Sequence, residues 1–577
     1  MPSVASPALP ADLQAPEPPA SAKASHVNMM TDTVIANMPP EGLRVVLRGL
    51  LGVDAKVTPA LNSLAAEYLN TTSFTTNPQL FYSRKCPVEA CALVDFQQRY
   101  RCLMGCGMGF RSMELLNEVL RQVLAVVLLD GQDISDHLMD ILAIVDADMV
   151  QAVTAVQKEL LTTSGMREMT IKEAKIVSNL MDGLLGCQKQ SDTMGIEFPF
   201  KRGLSRIQKV GGMPGVDMPQ LKQRAVEPMV NISAPTSPPP NSIERVQLGQ
   251  STVPRMFMGL WQFSSPAWGT ASVNKIHRHF RKHVDAGFTA YDMADHYGDA
   301  EVTFGQFRST QPDAASMFCA TKYCIFEKIT ITEEVVKANI SERLLNINAD
   351  KVDLLQLHWQ SYDDPQYIRM AQLVEQDPRV LNVGLCNFDT QRMEEIIQSG
   401  VAVVSNQVQA IMGKQFSLVD LRPTFKMAES CRKHNIKLLT YGSLCGGFLA
   451  EKWLNKPAPN IFGEDMTPSH RKYFEMIVVW GGWELLQQLL SVLSSIGKKY
   501  NASVSNVATR WVLDHDYVGA VIIGGRMGIS EHVDENVQVF SFRLDDHDKT
   551  LISKVLEQSK ATDVSAAMGD CGAEYRG

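Results

Sequence analysis

SMFCATKYCIFEKITITEEVVKANISERLLNINADKVDLLQLHW, residues 316–359, is the stretch of this chain that decides its fold class. Its two ends, SMFCATKY and VDLLQLHW, are short β-rich runs of the length of one strand. Between them, TEEVVKANISERLLN places apolar residues three and four positions apart, which is the spacing of a helix with one buried face. A strand, a helix and a second strand in this order predict two parallel strands joined by a crossover helix.

The same alternation continues in both directions, from about Ile243 to Glu557. The runs that qualify as strands are MFMGLW, FTAYDM, SMFCATKY, VDLLQLHW, RVLNVGLCN, VAVVSNQV, IKLLTY and VGAVIIGG. Helix-like segments such as SVNKIHRHFRKHVDAG and DTQRMEEIIQSG lie between them. This repetition predicts an α/β fold, a parallel (β/α)8 TIM barrel. The competing fold is a doubly wound open sheet, but it would normally carry a Gly-rich dinucleotide fingerprint after its first strand, and this sequence has none.

A mostly α-helical accessory domain is predicted in front of the barrel. From about Pro39 to Lys189, segments such as MELLNEVLRQVLAVVLL and TIKEAKIVSNLMDGLLG have apolar residues at helical spacing. A stretch dense in Pro, Gly and Ser then indicates a linker. The predicted parts are a disordered Ala/Pro-rich tail (1–38), a helical domain of unknown role (39–200), a linker (201–242), the barrel (243–560) and a flexible tail (561–577).

The composition limits the classes of function and the compartment. The 577 residues are 45% hydrophobic and 20% charged, which is typical of globular domains. The net charge of −8 gives no reason to expect binding to nucleic acid or to an anionic membrane, and no run of 18 or more apolar residues predicts a membrane span. The eleven cysteines are scattered and odd in number, and the first residues lack the apolar core of a secretory signal. We therefore expect a cytoplasmic protein.

Four side chains with acid–base or hydrogen-bonding chemistry stand at the ends of three successive predicted strands. Asp292 and Tyr297 follow the second strand, Lys322 ends the third, and His358 ends the fourth. In a (β/α)8 barrel these strand ends open on one mouth, so the side chains are expected to meet there. An ammonium beside a phenol lowers the pKa of the phenol, a carboxylate keeps the ammonium charged, and a histidine orients a carbonyl oxygen. Together they can protonate a carbonyl oxygen while a hydride reaches its carbon.

Six motifs in this order, AYDMADHYG, ATKY, LLQLHW, GLCNF, SNQVQ and YGSLCGG, resemble the aldo-keto reductases over the length of the predicted barrel. The resemblance implies an NADP(H)-dependent (β/α)8 barrel that reduces aldehydes and ketones or runs the reverse oxidation. The expected partner is therefore a small carbonyl or alcohol substrate. The catalytic tetrad of the family falls on Asp292, Tyr297, Lys322 and His358, with Tyr297 as the general acid.

The resemblance also implies a cofactor site. The positions that match the family are Cys386, Asn387 and Gln407 for the nicotinamide carboxamide, Tyr441 for the nicotinamide ring, Gly442, Ser443 and Leu444 for the pyrophosphate, Arg526 for the 2′-phosphate, and Glu535 and Asn536 for the adenine.

Three features depart from the family pattern. Cys386 replaces the more usual Ser, and His532 stands where many members have a second Arg. One cation remains, so NADP(H) is favoured over NAD(H). The run QVQAIMGKQFSLVD after the carboxamide Gln is longer than usual, which suggests an insertion beside the pocket. The segment from Gly446 to about Gly482 is long and aromatic, as expected of a lid over the substrate.

No metal site is predicted. HRHFRKH, with His277, His279 and His283, does not place three rings on one helical face and is interpreted as the solvated basic surface of a helix. The cysteines before the barrel have spacings unlike those of zinc sites and are interpreted as buried or inert thiols; they are Cys86, Cys91, Cys102 and Cys106. GCGMGF imitates a nucleotide-binding loop, but the better interpretation is a turn before a helix.

Two alternatives stay open at this stage. One is a catalytically weak NADP(H)-binding regulatory or scaffold protein whose helical N-terminal domain makes the interactions. The other is an NAD-linked alcohol or sugar dehydrogenase on the same barrel. The helical domain resembles no family that we recognise, and it is a candidate for binding a protein partner, for self-association or for covering the barrel mouth.

Overall fold

The structure is a computed structural model that describes residues 38–53, 57–71, 80–81, 91–128, 136–162, 165–211, 243–264, 268–269, 271–326, 328–408, 418–419, 421–424, 426–463 and 466–560. The predicted tail before residue 38, most of the predicted linker (212–242), the predicted insertion after Gln407 and the predicted tail from residue 561 lie outside the described residues.

In the described residues, seven helices precede the barrel: α1 (Pro40–Val53), α2 (Val57–Thr71), α3 (Cys91–Gly105), α4 (Gly109–Gln122), α5 (Asp136–Leu160), α6 (Ile171–Met194) and α7 (Lys201–Gly211). A π-helical segment, Val123–Val127, extends α4, and a two-residue hairpin, Leu161–Thr162 with Gly165–Met166, follows α5. At α6, Thr170 and Glu173 form a reciprocal capping box, and Gly195 ends the helix with a φ of 65°. The start of α6 matches the predicted segment TIKEAKIVSNLMDGLLG, but the helix continues eight residues beyond its end at Gly186.

Two compact units divide the chain. The first contains α1 and α2 together with Asn460–Thr467. In this unit Arg48 Nη1 donates to the carbonyl oxygen of Phe462 at 3.0 Å. The second unit contains the remaining helices of the N-terminal region and the whole barrel apart from that short segment. Helices α3 to α7 therefore share a unit with the barrel.

Eight parallel strands form a closed barrel in which each strand pairs with its neighbours along the chain, and β8 returns to β1. They are β1 (Met256–Gly259), β2 (Ala290–Asp292), β3 (Phe318–Ile325), β4 (Leu354–Trp359), β5 (Val383–Cys386), β6 (Val403–Val408), β7 (Lys437–Tyr441) and β8 (Val518–Gly524). Seven of these strands lie within a predicted run, and β3 extends two residues beyond the predicted SMFCATKY to Ile325. The (β/α)8 barrel with a helical N-terminal region is thus confirmed, and the open-sheet alternative is excluded.

At least one helix follows each barrel strand, as predicted. They are α8 (Val273–Asp285), α9 (Ala300–Ser309), α10 (Glu333–Ile347), α11 (Gln366–Gln376), α12 (Thr390–Gln398), α13 (Lys426–His434), α14 (Pro468–Trp480), α15 (Gly482–Tyr500), α16 (Val504–Leu513), α17 (Val533–Gln538) and α18 (Asp546–Leu556). The segment proposed as a lid thus contains α14 as well as loops.

An antiparallel hairpin that the sequence did not predict precedes the barrel. Its strands, Arg245–Leu248 and Ser251–Pro254, are joined by a turn in which Gly249 has a φ of 56°. Leu248 and Val253 are buried and share an apolar cluster with Phe257 of β1. The same cluster includes residues at the N-terminal ends of other strands, so the hairpin closes the end of the barrel opposite the mouth.

One predicted domain boundary and one predicted solvent-exposed surface were wrong. The linker was placed from residue 201, but α7 occupies Lys201–Gly211. HRHFRKH was interpreted as a solvated surface, but His277, Arg281 and His283 are each no more than 5% exposed. Burial lowers the pKa of His277 to about 4. By contrast, GCGMGF forms the predicted turn: Gly107 has a φ of 75° and α4 begins at Gly109.

In the part of the chain that the structure describes, no single helix is long and apolar enough to cross a membrane. One pair, Ser469–Trp480 and Gly482–Tyr500, has the length and composition when taken together, with a bend of 96° between its halves. The leucines of α15 in this pair are buried inside the protein.

Candidate active site

The strand ends bring the four predicted side chains to one mouth. Asp292 is the last residue of β2, while Lys322 and His358 lie in β3 and β4. The register places Lys322 beside Gln356, so that two neighbouring strands present polar side chains at the same level. Tyr297 lies in the turn after β2, where its N–H donates to the carbonyl oxygen of Ala294 at 3.1 Å.

Lys322 links the acid and the phenol. Its Nζ donates to Asp292 Oδ2 at 2.7 Å, to the carbonyl oxygen of Met293 at 2.9 Å and to the hydroxyl of Tyr297 at 3.2 Å. Both Lys322 and Asp292 are almost fully buried, at 2% and 3% exposure. An ammonium without a carboxylate would be very costly at this depth, so Asp292 is what allows Lys322 to stay charged there.

Two opposing effects act on the pKa of Tyr297. Burial raises it above its ordinary value, and the positive charge of Lys322 offsets only part of that effect. Burial also disfavours the ammonium form of Lys322, but the carboxylate of Asp292 outweighs it, and the pKa of Lys322 is raised. The ammonium of Lys322 thus lowers the pKa of the phenol as predicted, but burial, which the sequence did not reveal, has the larger effect and raises it. Tyr297 remains a protonated phenol at neutral pH, which is the form that can donate a proton.

Two side-chain amides, those of Gln356 and Gln407, hold the carboxylate of Asp292. Gln356 Nε2 donates to Asp292 Oδ1 at 3.0 Å, and Gln407 Nε2 donates to the same oxygen at 2.6 Å and to Gln356 Oε1 at 2.9 Å. Gln356 was not among the predicted site residues, although it lies inside LLQLHW. The signal was the strand period: residues two apart face the same side, and Gln356 is two residues before His358.

His358 is held by the residues that follow β5. Its Nδ1 lies 3.2 Å from the carbonyl oxygen of Cys386 and 3.5 Å from Asn387 Nδ2. The N–H of Asn387 donates to the carbonyl oxygen of Gln407 at 2.7 Å, and Asn387 has a φ of 60°. Cys386 Sγ lies 3.9 Å from Gln407 Oε1. The predicted carboxamide positions are thus adjacent to one another and to the tetrad.

The segment after β7 is suited to a phosphate group. Tyr441 ends β7, and Gly442 has a φ of 74°, which side chains rarely adopt. Ser443 is 1% exposed, and its Oγ has no hydrogen-bond partner among the described residues. A buried hydroxyl in this state is costly unless a ligand pairs with it. The unpaired hydroxyl of Ser443 and the backbone turn at Gly442 therefore fit a phosphate-bearing cofactor such as NAD(P)H.

The predicted adenosine positions lie after β8. Arg526 is exposed, and its Nε and Nη2 donate to the carbonyl oxygen of Trp268 at 2.9 and 2.5 Å. Glu535 accepts hydrogen bonds from Ser503 Oγ and lies beside His532, while Asn536 follows it in α17. Arg526 thus joins the loop after β8 to the loop after β1, and its guanidinium stays accessible to an anion.

The mouth has an apolar rim. Trp261, after β1, is 40% exposed, and Phe326, after β3, is 51% exposed. The Phe326 ring lies 5.5 Å from that of His358 and 5.2 Å from that of His296, which contacts Tyr297 at 4.8 Å. Large apolar side chains with this much exposure often mark a ligand surface.

One group of possible metal ligands lies near the mouth in the described part of the chain. The ligand atoms of Asp295, His296 and Cys324 lie within 4.8 Å of one another. However, Asp295 already accepts from the N–H of Cys324 at 2.9 Å, contacts His296 Nδ1 at 3.1 Å and pairs with Arg343. These contacts give it a structural role, so we assign no metal to it.

The cysteines before the barrel are only partly described. Cys102 is exposed and Cys106 is half-buried, so of the prediction that these thiols are buried or inert, burial does not hold for Cys102. Burial raises the pKa of Cys106, which keeps that thiol protonated at neutral pH. Cys86 and the side chain of Cys91 lie outside the described residues.

The barrel matches a known family. The family model described as Aldo/keto reductase family matches residues 255–557, which is just over half of the chain and runs from β1 to the end of α18. The chain therefore belongs to the aldo/keto reductase family, a family of oxidoreductases whose members generally use NAD(P)H. The match does not extend into the helical region before residue 255.

The chain is also similar to individual known proteins. The chloroplastic pyridoxal reductase of Arabidopsis thaliana is 24% identical over 342 residues, covering 55% of this chain and 87% of that protein. The flagellar radial spoke protein 5 of Chlamydomonas reinhardtii is 30% identical over 142 residues, covering 24% of this chain and only 26% of that protein. Among solved structures, the glycerol dehydrogenase AKR11B4 from Gluconobacter oxydans aligns with 21% identity and a TM-score of 0.47, covering 56% of this chain and 97% of that one.

Proposed function

We propose that this protein is an NADP(H)-dependent reductase of an aldehyde or ketone, or a dehydrogenase of the corresponding alcohol, with Tyr297 as the general acid. The observation that carries the proposal is the buried contact of Lys322 Nζ with both Asp292 and the hydroxyl of Tyr297. A phenol, an ammonium and a carboxylate linked in this order are what proton transfer to a carbonyl oxygen requires. A cofactor-sensing scaffold would have no use for this arrangement, and nothing in the geometry favours that alternative.

Each member of the tetrad has one task. When bound, the nicotinamide cofactor supplies a hydride for the carbonyl carbon. Tyr297 donates its hydroxyl proton to the carbonyl oxygen, and the charge of Lys322 stabilises the phenolate that remains. Asp292 keeps Lys322 charged and in place. His358, whose ring is held by the residues after β5, hydrogen-bonds the carbonyl oxygen and orients it.

The cofactor residues are assigned as the family pattern suggests. Gln407 Nε2 is engaged with Asp292, so its Oε1 is the atom that would accept from the carboxamide, with Asn387 and Cys386 beside it. Ser443 would bond the pyrophosphate. The remaining assigned residues are Tyr441, Gly442 and Leu444 beside the dinucleotide, Arg526 at the 2′-phosphate, and Glu535 and Asn536 at the adenine.

The rim of the mouth suggests the kind of substrate. Phe326 and Trp261 present apolar ring surface at the entrance, and Phe326 contacts the ring of His358. We infer that the carbonyl compound carries an apolar or aromatic group that packs on these rings. A cytoplasmic location remains part of the proposal.

The deciding experiment compares wild type, Tyr297→Phe and the control Tyr500→Phe, whose hydroxyl bonds Asp548 away from the mouth. NADPH and NADH are titrated by fluorescence, and turnover is measured on a panel of aromatic and aliphatic carbonyls. We expect Tyr297→Phe to lower kcat by about 100-fold or more with unchanged NADPH affinity, because general-acid catalysis contributes on this scale. Tyr500→Phe should resemble wild type. NADPH binding without turnover on any carbonyl or alcohol would refute the proposal.

Arg526→Ala tests the choice of cofactor in the same titration. If Arg526 meets the 2′-phosphate, this variant should lose roughly 10-fold or more in affinity for NADPH and little for NADH, because only NADPH carries that charge. Equal losses for the two nucleotides would instead indicate that Arg526 acts by joining the loops after β1 and β8.

A further inference from the structure

We propose that the helical region positions the catalytic tyrosine: Arg202 of α7, which lies outside the barrel, holds Asp299 and through it the turn that carries Tyr297. The inference rests on the proposed role of Tyr297 as the acid, and it goes further by assigning part of the catalytic geometry to the N-terminal region. Arg202 touches no reacting atom and is therefore a positioning residue.

The contact is a buried, two-pronged ion pair. Arg202 Nε donates to Asp299 Oδ2 and Arg202 Nη2 donates to Asp299 Oδ1, both at 2.7 Å. The two side chains are 6% and 2% exposed. Paired N–H groups on one carboxylate fix its plane as well as its position, which a single contact would not do. Thr303 Oγ1 also donates to Asp299 Oδ2 at 2.9 Å, so three hydrogen bonds fix the position of this carboxylate.

Arg202 is itself held rigidly. Asp146 of α5 accepts from the N–H of Gly203 at 2.7 Å and from that of Arg202 at 3.2 Å, which satisfies two of the exposed donors at the start of α7. The guanidinium lies 5.3 Å from the ring centre of Phe263, in the loop after β1. Arg206, one turn further along α7, donates to Gln157 of α5 at 2.7 Å. The helix that carries Arg202 is thus bound to α5 both at its first turn, through Asp146, and one turn later, through Gln157.

Asp299 lies two residues after Tyr297, and the turn between them has little freedom. Gly298 has a φ of 61°, and a Cβ there would lie 2.6 Å from the carbonyl oxygen of Phe263 and 3.4 Å from Gln151 of α5. On the other side of Tyr297, Asp295 is fixed by the barrel through Cys324 and Arg343. The catalytic turn therefore has one anchor in the barrel and a second anchor, Arg202, in the helical region.

The ionic state of the pair agrees with this role. Burial acts against both charges, but the partner outweighs it in each case: the pKa of Asp299 is lowered, and that of Arg202 is raised. Replacing a buried ion pair by apolar side chains of similar volume is often neutral or favourable for stability. A double variant that replaces both side chains by apolar ones can therefore separate the effect of the pair on the geometry of Tyr297 from its effect on stability.

The test measures kcat, KM, NADPH affinity and thermal unfolding on the full chain with Arg202→Met, Arg202→Lys and the double variant Arg202→Met/Asp299→Leu. We expect Arg202→Met to lower kcat by about 10- to 100-fold while NADPH affinity stays within about 2-fold, because displacement of a catalytic group by about 1 Å has effects of this size. Arg202→Lys should recover only part of kcat, since an ammonium lacks the second prong. The double variant should regain thermal stability but not kcat.

Arg101→Gln is the matched control, because Arg101 makes a similar two-pronged pair with Asp148 inside the helical region, at 2.8 and 2.9 Å. It should lower stability and leave kcat unchanged. The inference is overturned if folded Arg202→Met keeps wild-type kcat, if Arg101→Gln lowers kcat equally, or if the double variant regains kcat together with stability. Should Arg202→Met not fold, Arg202→Lys and the double variant decide in the same way. If Tyr297→Phe abolishes turnover but the Arg202 variants do not lower it, only this inference is refuted. If the wild-type protein has no turnover, the proposed function is refuted as well.

Discussion

At the scale of single residues, two opposing effects act on the proton of Tyr297. Burial favours the neutral phenol and the ammonium of Lys322 favours the phenolate, and burial is the larger effect. In reduction the residue must begin as a phenol, so this balance suits the acid. The charge of Lys322 is then most useful after the proton has left, when it faces a phenolate.

The pH dependence of kcat for reduction should follow from this balance. Because the pKa of Tyr297 lies above its ordinary value of about 10, the proton stays bound through the neutral range, and kcat should be flat from about pH 6 to about pH 10. Lys322→Met should lower kcat by about 100-fold or more across that range, since nothing then stabilises the phenolate. Steady-state rates at saturating substrate check both points. A wild-type kcat that falls with a midpoint below about pH 9 would contradict the assignment.

At the scale of elements, α8 shows how packing against neighbouring elements can bury side chains that the sequence suggests are exposed. HRHFRKH has the composition of a solvated surface, yet the ring of His277 packs 5.6 Å from that of Phe307 in α9 and 6.4 Å from that of Phe280. Burial lowers the pKa of His277 to about 4, with the charge of Lys201 in α7 acting in the same direction. The imidazole of His277 is therefore buried in its neutral form at neutral pH.

Acid should destabilise the protein through His277. The unfolded chain takes up a proton near the ordinary pKa of about 6.5, whereas the folded protein resists until about 4, so the stabilising contribution is complete above about pH 6.5 and is lost as the pH falls toward 4. The difference corresponds to roughly 3 kcal/mol. Urea unfolding at pH 7.5, 6 and 5 should show a smaller loss in His277→Phe than in wild type. The exposed His547→Phe is the control, and an equal loss in all three proteins would disprove the role of His277.

At the scale of the whole molecule, helices α3 to α7 and the barrel share one compact unit and a buried ion pair. The apolar core of the helical region and that of the barrel are separate clusters, so each could in principle melt alone. If the helical region unfolded alone, the two-pronged contact between Arg202 and Asp299 would be lost. The loss of this contact couples the unfolding of the two cores.

Unfolding of the two cores should therefore coincide. All seven tryptophans lie between residues 261 and 511, so their fluorescence reports on the barrel, while Cys187 is buried in the core of the helical region. We expect the urea midpoint of tryptophan fluorescence and that of Cys187 labelling, followed by mass spectrometry of the Cys187 peptide, to agree. Labelling of Cys187 at clearly lower urea would show that the helical region unfolds independently. Arg202→Met should separate the two midpoints.

Much of the barrel could be predicted from sequence because its signals are local. Each strand is a short β-rich run, each alternates with a helix, and Asp292, Tyr297, Lys322 and His358 follow strand ends whose convergence is a property of the fold. Gln356 was within reach, since strand period alone places it on the face of His358. The hairpin Arg245–Leu248 with Ser251–Pro254 was missed because its short strands acquire their apolar contacts from residues scattered over the barrel.

The sequence by itself determined the order of strands and helices, the residues that meet at the mouth and the existence of a helical region before it. Only the tertiary structure decided that α7 is a helix rather than linker, that His277 and His283 are buried, that burial raises the pKa of Tyr297, and that Arg202 reaches Asp299. The physical reason is the same in each case. Helix and strand signals depend on near neighbours in the chain, whereas burial, pKa and ion pairing depend on neighbours in space: Asp146 caps α7 from 56 residues away, and Arg202 pairs with a carboxylate 97 residues away.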